Sequence, residues 1–152
     1  MVCLGNICRS PLAHGILEKK INSNNLAASV DSAGTGSWHS GELPDPRSID
    51  TASIHGIDIT KQRARQFNNN DFNEFDLIYV MDTSNYNDVT KMTSDPEKLI
   101  KVKLILNENH PKENRSVPDP YYGGEAGFEK VYQMLDKACN SIIEKIRSNG
   151  KG

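Results

Sequence analysis

Apolar runs alternate with helical patterns along this chain. Residues 76–82, DLIYVMD, are almost continuously apolar, as expected of a strand buried on both faces. Residues 27–34, AASVDSAG, contain a short β-prone run ending in glycine, and residues 101–108, KVKLILNE, form a third strand candidate. Helical patterns lie between them. Ser10–Pro11 reads as an N-cap followed by proline at the first helical position. Asp45–Pro46 repeats that grammar, with Gly56 as a stop. The Asn68–Asn70 triplet reads as a polar loop leading into a helix start at DFNEF. Near the end, Phe128, Val131, Leu135, Cys139, Ile142 and Ile146 recur at spacings of three and four, an apolar stripe along about five helical turns. Cys139 lies on that stripe and reads as a buried small hydrophobe.

Strands alternating with helices predict an α/β fold with a parallel sheet and right-handed crossovers. Ligands of such sheets bind beyond the carboxyl ends of the strands, near the switch point of strand order. At 152 residues, the chain suits one domain, residues 1–152. Only Met1 and Val2 precede Cys3, whereas a strand usually runs about five residues. The first strand therefore reads as truncated, and Met1 as an internal methionine of a longer chain.

Charge and composition narrow the function classes. Eighteen Lys+Arg against 20 Asp+Glu leave a net charge of −2, with no basic stripe to suggest a nucleic-acid partner. No apolar run reaches the roughly 18 residues of a membrane span. Three cysteines make poor material for a disulfide framework, which favours a reducing cytoplasm. The four histidines lack metal-ligand spacing.

The chemistry concentrates in residues 3–11, CLGNICRSP. If Leu4 to Cys8 curl so that their N–H groups point inward and then run into a helix, they form an anion nest at a positive helix end. Gly5 and Asn6 tolerate the left-handed backbone angles that such curling needs. Arg9 offers a planar fork for two phosphoryl oxygens. Cys3, at the base of these donors, would sit as a stabilised thiolate, with the Ser10 hydroxyl as a further donor. A thiolate facing a bound, charge-neutralised phosphoryl group is a nucleophile, and that reaction needs no metal or other cofactor. A Cys3–Cys8 metal clip or structural disulfide is the competing explanation, but it leaves Gly5, Arg9 and the Ser10–Pro11 pair without a purpose.

An alkoxide or phenolate leaves poorly without a proton, so an acid should come from another loop at the same sheet edge. Asp119 in VPDPYYGG, residues 117–124, is the candidate. Taken alone, the same residues are better explained by an ordinary turn with an N-cap aspartate.

With these residues in view, VCLGNICRSP near the start and DPYY near the end resemble the low-molecular-weight protein tyrosine phosphatases. Residues 31–47, 61–67 and 75–85 resemble further segments of that family in the same order. The resemblance implies a Rossmann-like α/β domain whose four-stranded parallel sheet, ordered 2-1-3-4, is flanked by helices. It implies hydrolysis of phosphotyrosine in proteins or peptides through a phosphocysteine on Cys3. Arg9 and the loop from Leu4 through Gly5, Asn6, Ile7 and Cys8 to Ser10 would bind the phosphate. Asp119 would act as acid and then as base. Trp38 and Tyr121 would wall the slot for the ring, with Tyr122 at its rim. Ser32 would help Asn6 hold the loop. Gln62, where many members carry histidine, would support it from behind. Cys8 is placed as in members that join their two loop cysteines on oxidation. Ile7 stands where a relative acting on phosphoarginine has threonine, which favours phosphotyrosine here. A relative that reduces arsenate uses extra downstream cysteines, and this chain has only Cys139.

Overall fold

A computed structural model describes residues 1–150, the side chain of Tyr122 excepted. Its centre is a four-stranded parallel sheet in the order β2-β1-β3-β4. The strands are β1 (Val2–Cys3), β2 (Ala33–Gly34), β3 (Ile78–Val80) and β4 (Val102–Leu104). Helices α1 (Arg9–Ser23), α2 (Pro46–Ile54), α3 (Asp71–Glu74), α4 (Thr83–Thr90), α5 (Pro96–Leu99) and α6 (Gly124–Gly150) complete the order. The expected sheet and its flanking helices are present.

The two faces of the sheet feed two cores, because neighbouring strand residues point opposite ways. Cys3, Tyr79 and Met81 join a cluster with Leu12, Ile16, Leu135 and Cys139 of α1 and α6. Val2, Ala33, Ile78, Val80 and Leu104 join Phe67, Phe72 and Val89 on the other side. A sheet covered on both faces explains why DLIYVMD is apolar without alternation. The stripe of α6 is buried as expected from Phe128 to Ile142, and Ile146 is half-buried.

β1 has only two residues, yet it is an inner strand, paired with the edge strand β2 on one side and with β3 on the other. Its contacts run past its own ends. Ala33 N–H donates to the Met1 carbonyl at 2.9 Å, and the N–H groups of Thr35 and Gly36 donate to the Cys3 and Leu4 carbonyls, each at 2.9 Å. The opening loop is thereby stitched to the segment after β2.

Two local expectations are corrected. Ser10 is not the N-cap of α1: the helix begins at Arg9 with Cys8 as cap, and no side chain caps it. Of residues 101–108, only Val102–Leu104 are strand, and Ile105–Glu108 form a 3-10 turn. Within residues 27–34 the strand is the last two, Ala33–Gly34, ending in the expected glycine. Asp45 does cap α2, accepting from Arg47 N–H, with Pro46 at the first position; Gly56 follows at φ 75°. Among the described residues, no helix is long and apolar enough to cross a membrane.

Candidate active site

The loop from Cys3 to Arg9 joins the end of β1 to the start of α1, at the carboxyl edge of the sheet. Its carbonyls are held from outside. Leu4 accepts from Gly36 N–H at 2.9 Å, Ile7 from Asp45 N–H at 2.8 Å, and Cys8 from the Ser48 hydroxyl at 3.1 Å. Among the described residues, no backbone N–H from Leu4 to Cys8 donates to a protein acceptor. With the oxygens turned outward and α1 uncapped, these unpaired donors are free to receive an anion.

Asn6 makes the curl possible. Its φ is 57°, a left-handed conformation in which asparagine is among the few tolerated side chains. Its Oδ1 accepts from Arg65 N–H at 3.1 Å, and its Nδ2 donates to Ser10 Oγ at 2.7 Å. Ser10 Oγ lies 3.1 Å from Cys3 Sγ. The hydroxyl is thus engaged by the loop and does not turn back to cap the helix. Ser32, expected beside Asn6, instead pairs with His14 Nδ1 at 3.2 Å and with Gln62 Oε1 at 3.5 Å. Gln62 Nε2 donates to the Pro11 carbonyl at 3.1 Å, so both residues brace the start of α1 from behind. Gly34 is required below the loop. A Cβ there would lie 2.8 Å from the Leu4 carbonyl oxygen and 3.0 Å from Asn6 N.

Arg9 is 3% exposed and its fork is fixed by residues distant in sequence. Nη1 donates to Asp82 Oδ2 at 2.6 Å and to the Val117 carbonyl at 3.0 Å. Nη2 lies 3.9 Å from Asp119 Oδ2. Asp82 was missed at the sequence level. It follows β3 at the carboxyl edge of the sheet, the one available signal, and it also caps α4 through Asn85 N–H at 2.7 Å.

Asp119 is the cap of a turn and also faces the cleft, a placement compatible with both readings of the sequence. Its Oδ1 accepts from Tyr121 N–H at 3.0 Å, capping the short 3-10 turn Pro120–Tyr122, while Oδ2 faces Arg9. Cys3, Leu4, Gly5, Ile7, Cys8 and Arg9 line a cleft of about 300 Å³, completed by Trp38, His39, Asp119 and Tyr121. His39 was not foreseen; it packs beside Gly5 and bonds Glu42. Tyr122, expected at the rim, has a side chain outside what is described. Burial, reinforced by the nearby Asp45 carboxylate, pushes the Cys8 thiol up to about 12.

A larger cleft, about 460 Å³, opens at the opposite end of the sheet around Met1, Val30 and Leu77. No thiol lines it, and its Asp31, Arg65 and Asp71 are joined in an ion-paired network. The chemistry belongs to the smaller cleft, which holds the nucleophile and both of its charged neighbours.

Comparison with known proteins agrees with this geometry. The family model for low molecular weight phosphotyrosine protein phosphatase matches residues 1–151. The low molecular weight phosphotyrosine protein phosphatase of Sus scrofa is 36% identical over 148 residues, covering 96% of this chain and 93% of the relative. A crystal structure of a protein tyrosine phosphatase from Entamoeba histolytica, with Hepes in its active site, superposes with a TM-score of 0.90 at 35% identity, covering 98% of this chain and 96% of that one. A Drosophila arginine phosphatase superposes at 0.86 with 32% identity, covering 95% and 94%. A cysteine-based anion cradle, an apposed aspartate and an end-to-end family match lead to one conclusion: this chain belongs to the low molecular weight phosphotyrosine protein phosphatase family.

Proposed function

We propose that each step of phosphotyrosine hydrolysis, the activity of this family, is carried by a particular residue of the cleft. Cys3 Sγ attacks the phosphorus of the bound phosphomonoester, forming an S–P bond as the bond from phosphorus to the phenolic oxygen breaks. Asp119 gives its proton to that oxygen, and the phenol departs. Water then attacks the phosphocysteine while Asp119, now a carboxylate, takes its proton. The S–P bond breaks, releasing inorganic phosphate and restoring the thiolate.

Arg9 and the N–H groups from Leu4 to Ser10 hold the phosphoryl oxygens through both steps. Asp82 fixes the guanidinium plane so that Nη2 points into the cleft. Ser10 supports the sulfur and Asn6 supports Ser10. Trp38 and Tyr121 flank the aromatic ring, with Ile7 as an apolar surface at the cleft lining. The substrates are proteins bearing phosphotyrosine, and a cleft walled by the exposed Trp38 and Tyr121 suits a phosphotyrosine displayed on an exposed peptide segment. A reducing cytoplasm suits this chemistry, because Cys3, Cys8 and Cys139 are free thiols and the nucleophile must stay reduced.

The observation that carries this assignment is the placement of Asp119 Oδ2, 3.9 Å from an Arg9 nitrogen in the cleft that Cys3 floors. Phosphate release from a phosphotyrosine peptide and a phosphoarginine peptide, measured side by side, tests it. Preference for phosphotyrosine, lost in Cys3→Ser while inorganic phosphate still binds, is the expected result. Preference for phosphoarginine would overturn the role given to Ile7, and activity that survived in Cys3→Ser would overturn the nucleophile.

A further inference from the structure

The first turn of α2 touches both halves of the site. Asp45 N–H donates to the Ile7 carbonyl at 2.8 Å and Ser48 Oγ to the Cys8 carbonyl at 3.1 Å, so this turn carries one rim of the phosphate cradle. On the same turn, Asp45 accepts from Arg47 Nε and Nη2, each at 3.0 Å. These bonds hold the Asp45 carboxyl below the usual range. They also fix the guanidinium plane against the helix start.

The remaining arm reaches the acid loop. Arg47 Nη1 donates to the Tyr121 carbonyl at 2.7 Å. The guanidinium carbon lies 5.1 Å from the Tyr121 ring centroid and 4.7 Å from that of Phe128, at the foot of α6. Tyr121 is thereby held at both ends of its backbone, its N–H by Asp119 and its carbonyl by Arg47. Between Val117 and Phe128, only Pro120 is buried among the described side chains. A loop with so few buried contacts is drawn from the low-stability end of the fold unless a polar tether restrains it.

We propose that Arg47 is the positioning residue of the acid loop, a rigid bridge that fixes where Asp119 stands relative to the phosphate cradle. The guanidinium does not line the cleft. The inference rests on Asp119 being the acid. A planar fork suits the task because one group must satisfy a carboxylate and a carbonyl in fixed directions at once. A lysine could reach one of them but not both.

The experiment compares kcat/KM for phenyl phosphate, a poor leaving group, with that for p-nitrophenyl phosphate, an activated one. It is run on the wild type, Arg47→Ala, Arg47→Lys and Asp119→Asn, with inhibition by inorganic phosphate measured for each. Arg47→Ala should lose about tenfold or more on phenyl phosphate and about twofold or less on the activated ester. Inhibition by inorganic phosphate should stay within about twofold of wild type, since the cradle itself is intact. Arg47→Lys should show the same selective loss, and it reads the effect if Arg47→Ala does not fold. Asp119→Asn reports separately on the acid. If it discriminates between the esters while the Arg47 variants slow both equally, or neither, the bridge is overturned and the acid stands. If Asp119→Asn slows both esters equally, both assignments fall.

Discussion

Asn6 concentrates three tasks in one side chain. It occupies a left-handed backbone angle, accepts from Arg65 N–H and donates to the hydroxyl beneath the nucleophile. Asn6→Ala should cost about 1–3 kcal/mol of stability, since it strains φ and strands buried partners. Asn6→Gly should be less destabilised, because glycine adopts that angle freely, yet it loses both bonds. Both variants should weaken inorganic phosphate inhibition to a similar degree, measured beside urea unfolding. A Gly variant with wild-type phosphate affinity would confine Asn6 to a backbone role. At this scale the sequence was legible where chemistry packs its requirements into consecutive residues, as from Cys3 to Ser10. It was illegible where a partner is distant. Asp82 lies 73 residues from Arg9 and belongs to no local motif, and the Arg65 N–H that holds Asn6 is a backbone group any residue but proline would supply. Ser32 was placed in the correct neighbourhood but with the wrong partner, because several hydroxyls and amides crowd behind the loop and composition alone does not pair them.

The elements carry the slot walls. Trp38 is 73% exposed and lies over Gly36, where a Cβ would meet its ring at 1.8 Å. Gly36→Ala must therefore push the indole aside. An exposed ring moves without disturbing the core, so stability should change by no more than about 0.5 kcal/mol. KM for aryl phosphates should rise several-fold while inhibition by inorganic phosphate stays the same, because phosphate does not use the wall. A parallel loss of both would mean that Gly36 supports the cradle and not the slot. The start of α2 was legible from its cap, and the helix begins where Asp45–Pro46 places it. The strands were legible in position but not in length. Residues 105–108 continue the apolar run of β4, and no periodicity over so few residues separates a strand from the 3-10 turn that the chain forms there. α6, at 27 residues, outruns the expected five turns because it starts at Gly124, before its apolar stripe begins, and runs on to Gly150, beyond the stripe's last residue.

Across the whole molecule, the nucleophile's loop stands on a sheet buried from both sides, and α6 closes one of the two cores. Cys139 sits in that core, and burial pushes its thiol up to about 12. Below its ordinary titration range, near 8.5, both folded and unfolded chains hold the proton and the contribution is fully present. Between there and about 12, the unfolded chain releases a proton that the folded one keeps, so stability falls as pH rises, by about 1.4 kcal/mol per pH unit for this thiol. Urea unfolding from pH 8 to 11 should therefore decline less steeply in Cys139→Ala than in the wild type, although the variant starts lower because it leaves a small cavity. Equal slopes would place the thiol in a wetter setting than the core described here. The central claim is that Cys3 carries the phosphoryl group between substrate and water. The most direct test mixes Asp119→Asn with p-nitrophenyl phosphate, quenches within the first turnovers and maps the bound phosphate by mass. Without the base that activates water, the intermediate should accumulate as one phosphate on Cys3. A phosphate on any other residue, or turnover with none trapped on Cys3 even in single-turnover quenches, would contradict the account.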